Sequence, residues 1–214
     1  SCVCLLPASM ASSSSQSDIL ITHFSTYESG GAGRAAYRIH RSLVDNGPLL
    51  GVRSSMRVVY GISQDPTVTA GQAFNQNWLW RRIQPRLASL YPRHFNDGNN
   101  VLHSTCWPDS GIGIELSCSQ SKLIHLHWIG RAGLSIEEVG RIPQPLVWTL
   151  HDQWAFCGAE HYVKLPPQTD RRFIEGYLSS NRPSWEAGPD LNRLTWLRKL
   201  RSWRKKIFVV CPSR

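Results

Sequence analysis

Short, nearly uninterrupted apolar runs recur along the chain at residues 19–24, 55–60, 123–128, 146–150 and 207–210. They are rich in Ile, Val and Leu, as strands buried on both faces should be. Between them the apolar period changes to that of a helix. Ala35, Ala36, Ile39, Leu43 and Val44 keep an i, i+3, i+4 rhythm that ends at Asn46-Gly47. An aromatic-rich stretch predicts a second helix over residues 73–91, disturbed at Pro85. Ser135-Ile136-Glu137-Glu138 reads as a capping box opening a short helix. Asp190 is placed to cap a longer one through residues 191–205. Residues 61–120 and 157–189 are poorly patterned, hold many Pro, Gly and Asn, and read as loops or insertions. Strands alternating with helices predict an α/β fold with a doubly wound, mostly parallel, Rossmann-like sheet. No repeat or internal linker divides it.

Composition changes this picture little. With 41% hydrophobic and 18% charged residues in 214, the chain can bury a core. Residues 1–17 are the exception and read as a disordered leader; Met10 reads as the natural start, with upstream translation before it. That segment lacks the basic and apolar regions of a signal peptide. No run approaches the roughly 18 apolar residues of a spanning helix. Six cysteines without a CxxC pair read as reduced thiols, hence a cytoplasmic protein. The net charge of +9 favours anionic partners without choosing among nucleotide phosphate, acidic lipid and nucleic acid.

In an open parallel sheet the ligand sits beyond the carboxyl ends of the strands. The first strand would deliver His23 there, the third His125, His127 and Trp128, and the fourth His151 and Asp152. Histidines at three strand ends point to a polar rim. The pair His125 and His127 is expected to send its imidazoles to opposite faces of the strand. With no HExxH motif or cysteine knuckle nearby, no metal is expected. The stretch Ser29-Gly30-Gly31-Ala32-Gly33-Arg34 opens the first helix. Its small residues let backbone approach an anion, and the helix amino terminus supplies free N–H groups. It also fits GxGxxA, the dinucleotide turn. Two departures oppose that use: the glycines lie several residues past the strand, and the second strand ends at Tyr60-Gly61 with no acid for a ribose.

Taken together, STYESGGAGRAAYRIHRSL, HLHWIG, LSIEEVGRIPQPLVWTLHDQWAFCGAEHY and VVCPSR, in this order, resemble the amino-terminal domain of bacterial family-4 glycosyltransferases, those building exopolysaccharides such as colanic acid. The resemblance covers residues 18–214, and the segment from Trp148 to Tyr162 is its most specific part. It implies one half of a B-type fold, the acceptor side, whose donor-binding carboxy-terminal domain is absent here and without which the chain would be inactive. It implies retaining transfer of a hexose from a nucleotide sugar to a glycan or lipid-linked acceptor, without metal or other cofactor. Carried over residue by residue, Gly30, Gly31 and Ala32, followed by Arg34, match the loop facing donor phosphates and acceptor. His127 and Trp128 match a cleft-lining strand end, and His151 the histidine near the transferred sugar. Asp152, beside it in the catalytic pair, would orient His151 or cap the next turn. The cysteines that several relatives carry after the HY pair have no counterpart in residues 163–172.

Two rival readings remain. A dinucleotide-dependent oxidoreductase would need the GxGxxA turn tight against the first strand. Nucleic acid is not expected as a partner, since no recognised motif accompanies the charge. The basic stretch 196–206 places Trp196, Leu200 and Trp203 at helical spacing. This suits either a core-packed helix or a peripheral one on the acidic inner face of a membrane.

Overall fold

The computed structural model describes residues 18–73, 78–94, 101–163 and 170–212, with backbone only for 89–94. The leader therefore lies outside the described residues. Six parallel strands form one open sheet in the order β3-β2-β1-β4-β5-β6. They are β1 (Ile19–Tyr27), β2 (Val52–Tyr60), β3 (Val68–Ala70), β4 (Leu123–Leu126), β5 (Leu146–Thr149) and β6 (Ile207–Val210). The helices are α1 (Gly30–Asn46), α2 (Trp78–His94), α3 (Ile112–Cys118), α4 (Ile136–Arg141), α5 (Arg172–Glu175) and α6 (Leu191–Ser202). The fold is thus α/β and Rossmann-like, and the strand order reverses between β1 and β4, where such sheets open a crevice. No described helix is long and apolar enough to cross a membrane.

The two faces are packed unequally. On one, Phe24, Ile124, Leu126, Leu146 and Trp148 meet Ile112, Leu116, Ile136 and Val139 from α3 and α4 in the main core. On the other, Ala36 of α1 meets Met56 and Val58 in a small core. Alternation along β1 turns Phe24 to the first face and His23 to the second. Edge strand β6 leaves Phe208, Val209 and Val210 exposed.

The five expected strands are present, with β1 and β2 longer than their apolar runs. Residues 61–120 and 157–189 are not all loop: they contain β3, α3 and α5. What holds α3 explains why no local signal marks it. Its first turn is capped by Glu138 of α4, whose carboxylate accepts from Ser110 N at 2.9 Å, Gly111 N at 2.7 Å and Gly113 N at 3.1 Å. The same carboxylate accepts from Ser135 N at 2.9 Å, closing the expected capping box of α4. One buried acid thus serves two helix starts. A Cβ on Gly113 would stand 2.7 Å from the Glu138 side chain, so only glycine lets it so close. Asp190 caps α6 as expected, accepting from Arg193 N at 2.9 Å. Pro85 does not interrupt α2, which runs straight through it.

Helix α6 corrects its expected stripe. Its buried residues are Leu191, Asn192, Thr195 and Lys199, while Leu200 is exposed and Trp196 half-buried; of the expected stripe only Trp203, just past the helix, packs against the main core. Its basic residues are also partly spent inside. Lys199 Nζ donates to the carbonyls of Trp154, Cys157 and Gly158 and sits 3.6 Å from the Trp154 ring centre. Arg198 pairs with Glu137 at 2.6 Å and donates to the carbonyls of Thr105 and Cys106.

Candidate functional site

Strand β1 runs on to Tyr27 and α1 begins at Gly30, so the glycine turn is only Glu28-Ser29 long. The expected gap between strand and glycines does not exist. Apolar character stops at Phe24, but Ser25, Thr26 and Tyr27 continue the strand, paired with β2 as far as Tyr27↔Tyr60. Two glycines make the tight turn possible. Gly30 has φ +81°, which side chains rarely tolerate, and a Cβ on Gly33 would stand 2.4 Å from the carbonyl oxygens of Tyr27 and Glu28. Gly31 differs: nothing lies within 4 Å of the place its Cβ would take. It faces open space.

That space is a cleft of about 500 Å³ lined by the turn from Ser29 to Gly33 and, across it, by Trp128, His151, Asp152 and Tyr162, with Ser25 and Tyr27 at its floor. Ser29 flanks α1 without a side-chain cap, and no acid stands in the first turn. The first N–H groups and the positive end of the helix dipole are therefore free for an anion. Gly30, Gly31, Ala32, Trp128, His151 and Asp152 are brought together as expected. Arg34 is not among the lining residues; it is exposed and donates to the Gly30 carbonyl at 3.3 Å. His127 lies beneath the cleft rather than in it.

His127 is the middle of a chain. His23 Nδ1 is 3.1 Å from His127 Nε2, and His127 Nδ1 is 3.1 Å from His151 Nε2. His23 and His125 are thus not rim residues: both lie inside their strands, in register with each other. Nor do His125 and His127 face opposite ways. Residues two apart share a face, and their rings stack 4.3 Å apart. Burial, followed by the neighbouring imidazoles, pushes His23 down to about 3, His127 to about 2 and His125 to about 4. Burial also lowers His151. The chain is uncharged at neutral pH.

Its tautomers follow from the partners. His23 Nε2 is buried with no hydrogen-bond partner. An orphaned lone pair is the cheaper orphan than an N–H, so the His23 proton sits on Nδ1 and points to His127 Nε2. His127 then donates from Nδ1 to His151 Nε2, and His151 carries its remaining proton on Nδ1. His151 is therefore a hydrogen-bond donor on that side, not a free base.

Asp152 is occupied elsewhere. It accepts from Trp128 Nε1 at 2.8 Å, His161 Nδ1 at 2.5 Å and Trp154 N at 3.0 Å. Although burial opposes it, these bonds hold its carboxyl below the usual carboxylate range. It caps the next turn, as one of its two expected roles has it, and orients Trp128. His161, held also by Ser104 Oγ at 2.8 Å, is a member of this group that the sequence pattern left unassigned. So are Tyr27 and Tyr162, which lie in the STYE and EHY segments. Tyr27 stacks on Tyr60 at 5.1 Å and lies 5.6 Å from the Trp128 ring, giving the cleft an aromatic wall.

No family model, curated protein or solved structure matches this chain.

Proposed function

We propose that the chain is the acceptor-side half of a retaining glycosyltransferase, moving a hexose from a nucleotide sugar to a glycan or lipid-linked acceptor. The observation that carries this reading is the uncapped amino terminus of α1 facing a polarised His151 across one cleft. Departure of a nucleoside diphosphate needs its growing phosphate charge met by fixed donors, and free helix-end N–H groups are such donors. A neutral, donating histidine suits a sugar hydroxyl, and Trp128, Tyr27 and Tyr162 suit the apolar face of a sugar ring. Gly31, with open space before it, is where a phosphate would meet backbone. His151 is the residue proposed to touch the transferred sugar, with Asp152 positioning Trp128 at the cleft wall. The partner domain, outside these residues, would bring the donor.

The test is transfer of labelled hexose by the polypeptide carrying both halves. Incorporation with retained anomeric configuration, reduced at least about 100-fold by His151→Ala, supports the reading. Wild-type transfer by that variant removes His151 from the chemistry.

A second reading keeps one specific support. The GxGxxA turn does sit tight against β1, as a dinucleotide site requires. Against it, β2 ends at Tyr60 without an acid, and Glu28 is tied to Ile62 N and Ser63 N at 2.9 and 3.0 Å. Micromolar binding of NAD by residues 18–214, with no response to nucleotide sugars in the joined polypeptide, would favour the oxidoreductase instead.

A further inference from the structure

Three histidines converge beneath the cleft without an evident need for one another. His23, His125 and His127 each bring a ring nitrogen within 4.8 Å of the other two. They come from adjacent strands, and the parallel register sets His23 beside His125. The separation of His23 Nδ1 and His127 Nε2, 3.1 Å, is close to the roughly 3.3 Å between two nitrogens on one tetrahedral ion with bonds of about 2.05 Å. We propose that these three imidazoles form a binding site for a borderline divalent cation, zinc in particular.

The chemistry of the set narrows the ion. It is all nitrogen, with no carboxylate among its members, which suits zinc, cobalt, nickel or copper and not the oxygen-seeking magnesium or calcium. All three rings are uncharged at neutral pH, as ligation requires. The surroundings have the form of an outer shell. Ligating histidines commonly donate their second N–H to a fixed acceptor. Here His125 Nε2 is 2.8 Å from Thr149 Oγ1, and His127 Nδ1 is 3.1 Å from His151 Nε2. The neighbouring His40 is excluded because both its nitrogens are engaged, with Ser54 and Thr67 at 2.8 Å.

His23 would ligate through Nδ1, the nitrogen that faces His127, while its buried Nε2 has no partner. Metal binding replaces the His23–His127 hydrogen bond with two coordinate bonds. The His23 proton then moves to Nε2, where no acceptor meets it, so no proton leaves the cluster and the coordinate bonds must offset the cost of that buried N–H. Access is from the β4–β5 side, where His125 and Val147 are only half-buried. The ion would join β1 to β4 and fix His127, and through it His151. The site stands or falls independently of what the cleft binds.

The experiment is titration of the chelator-treated full chain with Co²⁺, followed by visible absorption and by competition with Zn²⁺. The expected result is one equivalent bound with the intense absorption of tetrahedral cobalt, displaced by equimolar zinc, and a thermal midpoint that rises with zinc. His125→Gln should lose this binding, and Thr149→Val, which keeps all three imidazoles, should weaken it about 10- to 100-fold. His103→Gln, outside the cluster, should not change it. Absence of saturable binding overturns the proposal. So does an octahedral spectrum, or binding of equal strength in the wild type and Thr149→Val, which decides the matter if His125→Gln does not fold.

Discussion

Two buried polar groups lie on the two sides of this sheet, and they follow contrary rules. On the main-core side, Lys199 is 3% exposed and each of its three N–H bonds finds a carbonyl. Nearby, Arg172 is held between Asp170 at 2.8 Å and Glu186 in close contact, and Tyr177 donates to Glu160. Charge is met by charge or by a full set of dipoles. On the α1 side, the histidines are neutral, bonded in a single file, and one nitrogen has nothing to bond. The first group ties the segment after Cys157 to α6 through paired charges, although Glu160 Oε2 and Arg172 Nη1 have no hydrogen-bond partner. The second leaves one of its nitrogens unspent beneath an open cleft. Dense pairing of opposite charges marks scaffold here, and neutral imidazoles gathered beside an open cleft mark the place to look for binding.

The sharpest way to break this contrast is Lys199→Met. Three carbonyls would lose their donor at once, so stability should fall by about 3–5 kcal/mol. Urea unfolding followed by far-ultraviolet dichroism measures it. A change below about 1 kcal/mol would show that the ammonium is not holding the segment.

Acid should act on the other group. The folded-state values of His23 and His127 lie near 3 and 2, below the ordinary 6.5. Between 6.5 and those values the unfolded chain binds protons that the folded chain refuses. The stability they contribute is therefore complete above pH 6.5 and lost as pH falls below it. In metal-free buffer the stability measured by urea unfolding should drop between pH 7 and pH 5, by about 4 kcal/mol for the pair. His127→Phe should flatten that slope, and an unaltered slope would show the acid sensitivity to lie elsewhere.

Within the turn, Gly33 and Gly31 separate the two kinds of constraint. Gly33→Ala should cost about 1–3 kcal/mol, because its Cβ would meet two backbone oxygens. Gly31→Ala should move the thermal midpoint hardly at all, by about 0.5 kcal/mol or less, while impairing ligand at the cleft. A strongly destabilised Gly31→Ala would reverse the assignment. The smallest effect concerns α6. Arg198, Lys199 and Lys205 are engaged internally, which leaves Arg201, Arg204 and Lys206 for an acidic surface. At about 1 kcal/mol each, co-sedimentation with acidic liposomes should be weak and vanish in high salt. Binding to neutral liposomes of equal strength would contradict an electrostatic attachment.

How much of this was legible in the chain follows from what each element depends on. Strands β4, β5 and β6 announce themselves because burial on both faces demands continuous apolar residues. The end of β1 does not, since Ser25 to Tyr27 are held by pairing with β2. Helix α3 is invisible locally because its cap, Glu138, comes from another helix. Strand β3 is three residues long, below any period. At the site, Gly30, Gly31, Trp128 and His151 could be placed from strand ends alone. The convergence of His23 with His125 could not, because it depends on the register between two strands about a hundred residues apart. His125 and His127 were within reach: the period of two puts them on one face.

The tryptophans of the main core carry a consequence of another kind. Trp148, Trp154 and Trp203 form a triangle with ring centres 6.3, 5.3 and 6.0 Å apart. Indoles held so close and at fixed angles share their excited states, so the folded chain should show a strong near-ultraviolet dichroic band that vanishes when packing loosens. Trp128, bonded to Asp152 at the cleft, stands apart as a separate chromophore. The molecule thus contains two built-in optical channels, one reporting whether the core is assembled and the other what occupies the crevice.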